Sequence, residues 1–291
     1  MPITESNRVS VENDVVFGTG GDRDLRCNVY TPPAATANGA GLLLVHGGGW
    51  MQGDRSQLHG YGILLGRLGY FCVASEYRLS GEAKWPAQIH DVKAAIRWIR
   101  ANAARFNIDP KKICVSGNSA GAHLSLISAG TPNYQPFEGD GGHPGVSSEV
   151  AACIAFYGPA VLGVRETTPD PAIPNLVAQL MGDGMTEERL REASPATWAK
   201  PDFPPTLLIH GNEDALVPVE SSFRMYQELA KVKAPVEIHV YNKAPHGFDA
   251  VPELGRQCAA IMALFLDRHV VNPRAVVTPQ AQAATPAGGG S

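Results

Sequence analysis

The 291-residue sequence predicts an α/β protein: a mostly parallel central sheet with helices on both faces. Three observations carry this. Short apolar, β-branched runs alternate with longer segments of helical periodicity along most of the chain. The composition suits a large core, with 44% hydrophobic and only 18% charged residues. Four of the strand candidates run straight into loops that concentrate Gly, Ser, Asp or His, and open α/β sheets keep their sites at the carboxyl ends of strands.

The strand candidates are residues 25–30, 42–46, 71–76, 113–117, 152–157, 205–210 and 236–241. The helix candidates are 56–68, 86–105, 120–129, 219–231 and 252–269. The helix at 86–105 is the clearest, because Pro86 suits a first helical turn and Ile89, Val92, Ile96 and Ile99 recur at spacings of three and four. Residues 131–148, rich in Gly, Pro, Asp and Asn, read as a long surface loop. Residues 159–204 hold short helical pieces at 175–181 and 186–192 between Pro-rich stretches, and read as a small insertion over one edge of the sheet. From 272 to 291 the chain turns to Pro, Ala, Gln, Thr and Gly, a composition that cannot bury a core and predicts a disordered tail. The expected organisation is one domain over 1–271 followed by that tail.

Lys+Arg 24 against Asp+Glu 28 gives a formal net charge of −4, so the chain has no basic footprint for nucleic acid or an anionic membrane surface. No apolar run reaches the roughly 18 residues of a membrane span. The start, Met-Pro-Ile-Thr-Glu-Ser-Asn-Arg, lacks a basic segment followed by an apolar one, so a cytoplasmic location is expected. Cys27, Cys72, Cys114, Cys153 and Cys258 are odd in number and widely spaced, and read as buried free thiols. A homo-oligomeric state is left open.

The chemistry starts at Gly117-Asn118-Ser119-Ala120-Gly121. A GxSxG alone is weak evidence, since a Gly-rich strand-to-helix turn with a capping serine has the same letters. Here it sits between the strand 113–117 and the helix 120–129, where a sharp turn lifts the serine hydroxyl above the sheet. A serine nucleophile needs a base, and the base an orienting acid. After the strand 205–210 comes Gly211-Asn212-Glu213-Asp214-Ala215-Leu216-Val217-Pro218, and after 236–241 comes Ala244-Pro245-His246-Gly247-Phe248. Asp214 is favoured over its neighbour Glu213 as the acid, and His246 over the other eight histidines as the base. His210 and His123 read as structural partners.

Straight after the strand 42–46 runs His46-Gly47-Gly48-Gly49-Trp50. Consecutive glycines leave backbone N–H groups open, so Gly48 and Gly49, with Ala120 after the serine, are the expected oxyanion donors. Trp50 is the expected substrate contact. The loop lacks the Lys-Ser/Thr end of a phosphate-binding loop, which argues against nucleotide binding.

These motifs resemble the α/β-hydrolase superfamily. His46-Gly47-Gly48-Gly49-Trp50 with Gly53-Asp54, and the GxSxG, are similar to the hormone-sensitive-lipase-like branch. Tyr77-Arg78-Leu79, Trp85-Pro86-Ala87-Gln88, the run from Asp91 to Trp98 and Asn107-Ile108-Asp109-Pro110 resemble bacterial bifunctional feruloyl/acetylxylan esterases and related small carboxylesterases. The resemblance implies an α/β-hydrolase fold and a Ser119, Asp214, His246 triad. It also implies hydrolysis of a small-molecule carboxylic ester through an acyl-enzyme, with no metal or organic cofactor. Two departures bear on the substrate. The lipase-like members carry a longer N-terminal cap, and here only some two dozen residues precede the first expected strand, which implies an open acyl pocket and short acyl groups. The acid motif is Asp-Ala-Leu where those relatives tend to have Asp-Pro-Leu. The glycine loop and Ser119-Ala120-Gly121-Ala122-His123-Leu124 also resemble kynurenine formamidases, so a formamide is the rival substrate and a non-catalytic binding protein the rival class.

Overall fold

The computed structural model describes residues 8–163 and 172–276. Its centre is an eight-stranded sheet: β1 (Ser10–Gly20), β2 (Arg23–Thr31), β3 (Gly41–Val45), β4 (Phe71–Ser75), β5 (Ile113–Asn118), β6 (Cys153–Phe156), β7 (Thr206–Gly211) and β8 (Val236–Tyr241). The spatial order is β1-β2-β4-β3-β5-β6-β7-β8. β2 runs antiparallel to both β1 and β4, and every pair from β4 to β8 is parallel. Among the described residues there are eight α-helices: α1 (His59–Arg67), α2 (Ala87–Ala101), α3 (Ala120–Gly130), α4 (Gln135–Glu138), α5 (Ala172–Met181), α6 (Glu187–Glu192), α7 (Glu220–Lys231) and α8 (Pro252–Leu266). This is the α/β-hydrolase architecture the sequence predicts.

The apolar runs of the central strands have a simple cause. β3 is buried on both faces, so Leu42, Leu43, Leu44 and Val45 are all nearly inaccessible. Their side chains alternate between two cores. Leu43 and Val45 join Val73, Val115 and the apolar faces of α2 and α3 on one side; Leu42 and Leu44 join Cys72, Cys114 and residues of α1 and α8 on the other. All five cysteines are buried and unpaired.

Four departures from the expected organisation have a physical reason. β1 is an additional strand, hidden in the sequence because most of its side chains are exposed on a sheet edge and its register is broken by bulges after Glu12 and Val16. α2 starts one residue after Pro86 and stops at Ala101, where Asn102 turns back to the Trp98 carbonyl through its backbone N–H and its Nδ2 (2.9 Å). The stretch 131–148 is not a free surface loop. It contains α4, whose Glu138 accepts from Lys93 Nζ (2.8 Å) and Arg97 Nη1 (2.9 Å), two α2 cations with almost no exposed side-chain surface. Of the expected tail, 277–291 lies outside the described residues; before it, Arg274 pairs with Asp267 (2.7 Å) and the Asn272 N–H donates to the Asp267 carbonyl (2.8 Å). No helix among the described residues is long and apolar enough to cross a membrane.

The motif at 77–98 is a brace. Arg78 meets Asp91 through Nε and Nη2 (2.8 and 2.7 Å), and Gln88 Nε2 donates to the Arg78 and Ala83 carbonyls. These bonds fix the segment after β4 on α2, beneath the glycine loop, whose Trp50 carbonyl accepts from the Ser80 N–H (2.7 Å).

Candidate active site

Ser119 lies on the turn between β5 and α3 with φ 54° and ψ −116°, a backbone conformation that costs energy in any residue with a side chain. Close packing holds it there. A Cβ on Gly121 would run into the Val45 carbonyl oxygen of β3, and one on Gly117 into the Gly121 backbone, so α3 reaches the sheet only because both positions are glycine. The Ser119 N–H donates to the Phe156 carbonyl (2.9 Å), which fixes the turn to β6.

His246 Nε2 is 3.0 Å from Ser119 Oγ, and His246 Nδ1 is 2.7 Å from Asp214 Oδ2. A carboxylate only accepts, so Nδ1 carries the proton and Nε2 is free to accept from the serine hydroxyl. Asp214 is filled on both oxygens. Oδ1 accepts from the Leu216 and Val217 N–H groups (3.0 and 2.8 Å), and Oδ2 also meets His210 Nε2 (3.2 Å). Burial alone would raise this carboxyl, but the hydrogen bonds from His210 and His246 and the Val217 N–H outweigh it and bring the pKa down to about 2. Glu213, the competing acid, is exposed.

His210 has its own fixed tautomer. Nε2 reaches the Val217 carbonyl (2.8 Å) and so carries the proton, while Nδ1 accepts from Ser222 Oγ (2.7 Å). His123 is likewise a support. Its Nε2 donates to the Ala193 carbonyl (2.7 Å) and its Nδ1 accepts from Trp50 Nε1 (3.3 Å). Burial lowers its pKa to about 4 against the opposing pull of that carbonyl.

The glycine loop bends through positive φ at Gly48 (114°), Gly49 (60°) and Trp50 (58°), and the Gly48 carbonyl accepts from the Met51 and Gln52 N–H groups. Gly48, Gly49 and Ala120 line the same cavity as Ser119. Among the described residues their three N–H groups have no acceptor, so they are free to meet an oxygen brought into that cavity. Trp50 is only 2% exposed and its indole N–H is spent on His123. It therefore anchors the loop from below, and any substrate contact it makes is through what little of it reaches the cavity wall.

The cavity measures about 1100 Å³ and is lined mainly by apolar groups, among them Leu58, Ile63, Leu64, Leu176, Leu216 and Val217. Leu176 and Pro159 come from the 159–204 insertion, which connects the interior strands β6 and β7 and reaches the cavity there rather than at an edge strand; residues 164–171 of it lie outside the described residues. Three further wall residues escaped the sequence reading: Tyr61, Tyr157 and Asp249. They come together from separate elements, and no spacing or motif announces them.

Residues 27–229 match the BD-FAE family. The chain is 31% identical over 266 residues to the probable carboxylic ester hydrolase LipM of Mycobacterium tuberculosis, a match covering 89% of this chain and 60% of that protein. The chain spans about three fifths of the length of the curated relatives it matches. A truncated carbohydrate esterase from gut microbiota superposes with a TM-score of 0.78 at 26% identity, covering 90% of this chain and 98% of that one. A propionate-bound esterase from Thermogutta terrifontis superposes with a TM-score of 0.75 at 25% identity, covering 94% and 98%.

Proposed function

The chain belongs to the BD-FAE family and has the α/β-hydrolase fold, and from that premise we propose that it is a serine carboxylesterase acting on short-acyl or aryl esters of the acetyl or feruloyl type. The observation that carries the reading is the unbroken chain Ser119 Oγ, His246 Nε2, His246 Nδ1, Asp214 Oδ2, with links of 3.0 and 2.7 Å, opening into a cavity walled by free backbone amides.

In this reading His246 takes the Ser119 proton as Oγ attacks the ester carbonyl. The developing oxyanion is held by the Gly48, Gly49 and Ala120 N–H groups, each contributing about 3 kcal/mol to the transition state. Asp214 stabilises the imidazolium without taking its proton. The C–O bond to the alcohol then breaks, His246 returns the proton to the leaving oxygen, and the acyl group stays on Ser119. Water enters, gives a proton to His246 and attacks the acyl carbon. The Ser119 C–O bond breaks, the proton returns to Oγ and the free acid departs.

The apolar lining favours an uncharged acyl or aryl group, and the two structural neighbours named as a carbohydrate esterase and a propionate-bound esterase support a short acid with a sugar or other small alcohol. The first test is p-nitrophenyl acetate hydrolysis by the wild type and Ser119→Ala, with a loss of at least about a thousandfold expected. Equal rates would refute the reading. A panel of p-nitrophenyl esters of rising chain length, acetylated xylan oligomers, methyl ferulate and N-formylkynurenine then ranks the substrates, with the formamide expected last.

A further inference from the structure

Asp249 lies three residues beyond His246, is 9% exposed and forms part of the cavity wall. Three donors from three other elements converge on its carboxylate. Tyr61 Oη of α1 donates to Oδ2 (3.0 Å), Asn118 Nδ2 at the end of β5 donates to Oδ2 (2.7 Å), and Tyr157 Oη after β6 donates to Oδ1. Asn118 Nδ2 also donates to Tyr157 Oη (2.8 Å), which closes the network. Burial and the neighbouring Asp249 push both tyrosine hydroxyls far up, so they keep their protons and remain donors. A buried carboxylate met by donors alone is a satisfied anion.

Two of these three partners touch the reacting groups. Asn118 directly precedes Ser119. The Tyr157 and His246 rings lie in a T-shaped arrangement with centroids 4.6 Å apart. Tyr157 is held there at φ +40°, a conformation unfavourable for an aromatic residue, by its N–H bond to the Ile209 carbonyl (2.8 Å) and by the hydroxyl bonds. A phenol that donates to a carboxylate has a more electron-rich ring, and nearby negative charge favours the charged form of an imidazole, so Tyr157 with the Asp249 carboxylate behind it favours positive charge on the neighbouring His246. The groups facing His246 are Ser119, Asp214 with His210 behind it, and Tyr157 with Asp249 and Tyr61 behind it.

We infer that Asp249 is a second positioning carboxylate of this site, which holds Tyr157 against His246 and Asn118 behind Ser119 so that the positive charge on His246 is supported from two sides. The inference rests on the esterase reading above and assigns Asp249 no contact with substrate.

The test compares Asp249→Asn, Tyr157→Phe and Tyr61→Phe with the wild type on p-nitrophenyl acetate. Asp249→Asn is expected to lower kcat by about tenfold or more while KM changes less than about threefold, because the lost interaction acts on the charged transition state. Its acid limb should move to lower pH, since removing a negative charge disfavours the imidazolium. Tyr61→Phe deletes one hydroxyl bond to the carboxylate, while Tyr157→Phe deletes one to the carboxylate and one from Asn118, so the shift of the acid limb, which a merely structural loss would not move, separates the two readings. Positioning requires the larger kcat loss and the pH shift from Tyr157→Phe, and this pair decides the matter if Asp249→Asn does not fold. Equal losses in the two tyrosine variants, or an unmoved acid limb in Asp249→Asn, overturn the inference. Hydrolysis independent of Ser119 would instead refute the esterase reading. An NMR titration of the His246 imidazole, which needs no turnover, then still decides: an unmoved midpoint in Asp249→Asn overturns the inference, and a lowered one supports it.

Discussion

Asp214 and His123 are both buried at the site and both titrate far from their ordinary ranges, yet they respond to acid in different windows. Asp214 falls to about 2 in the folded protein, against roughly 3.9 in an unfolded chain. A depressed carboxylate contributes stability that is present above the unfolded pKa and lost as the pH falls through the folded one. The difference amounts to on the order of 2 kcal/mol. Asp214→Asn is therefore expected to unfold at lower urea than the wild type at pH 7, with the gap closing between about pH 4 and pH 2. His123 falls to about 4, against roughly 6.5 unfolded. Below pH ~6.5 the unfolded chain takes up a proton that the folded one refuses, so stability declines until about pH 4. Between pH 7 and pH 5 this contributes a loss on the order of 2 kcal/mol, which His123→Gln should lack in parallel urea titrations. A His123→Gln slope as steep as the wild type's would show that another group governs that window. At this scale Ser119, Asp214 and His246 were legible in the sequence, because each lies in a loop just past the carboxyl end of a strand, Ser119 directly after β5 and the other two within five residues of β7 and β8, and each belongs to a short motif. It was silent about Asp249, which meets Tyr61, Asn118 and Tyr157 only after four elements have packed.

At the scale of elements, the elbow carrying Ser119 depends on glycines at 117 and 121 more than on helix propensity. α3 is buried along its whole length, and its first turn presses against the backbone of β3. In an exposed helix, Gly to Ala gains up to about 1 kcal/mol. At 121 the new methyl meets the Val45 and His46 carbonyls, neither of which can swing away, so Gly121→Ala should cost more than about 2 kcal/mol. The expected reading is a drop in Tm with loss of p-nitrophenyl acetate hydrolysis, the activity proposed above, at temperatures where the variant is still folded. A stabilised Gly121→Ala would mean that the helix sits further from the sheet than described. Elements with a buried face were readable from periodicity, which is why the strands from β2 to β8 and the helices α2, α3, α7 and α8 fall close to their expected places. β1 was not, since an edge strand with exposed, partly charged side chains and two bulges has no period of two to detect. α4 was missed for another reason: four residues are too few for a helical period to show.

For the molecule as a whole, strand order could not be read, because pairing is a matter of which apolar strips meet in space, and β4 precedes β3 across the sheet although it follows it in the chain. Nor could the anchoring of residues 131–148, whose Gly, Pro, Asp and Asn content describes the backbone of a loop but not where its single key carboxylate goes. Glu138 is that carboxylate. It meets Lys93 Nζ and Arg97 Nη1 and accepts from Ser148 Oγ (2.6 Å), while Lys93 also donates to the Thr131 carbonyl and Arg97 Nε to the Gly142 carbonyl (3.0 Å). Both cations belong to α2, the same helix that Arg78 and Gln88 brace beneath the glycine loop. Burial pushes Lys93 down and Glu138 opposes it, so removing the carboxylate charge leaves two cations in a site closed to water. Breaking such a cluster from one side typically costs about 3–5 kcal/mol. Glu138→Gln is thus expected to lose on that order in urea unfolding. Glu138→Gln with Lys93→Met, which removes one stranded charge and keeps the stem, should recover part of it. Equal stability of Glu138→Gln and the wild type would mean that the 131–148 segment is held by its backbone alone.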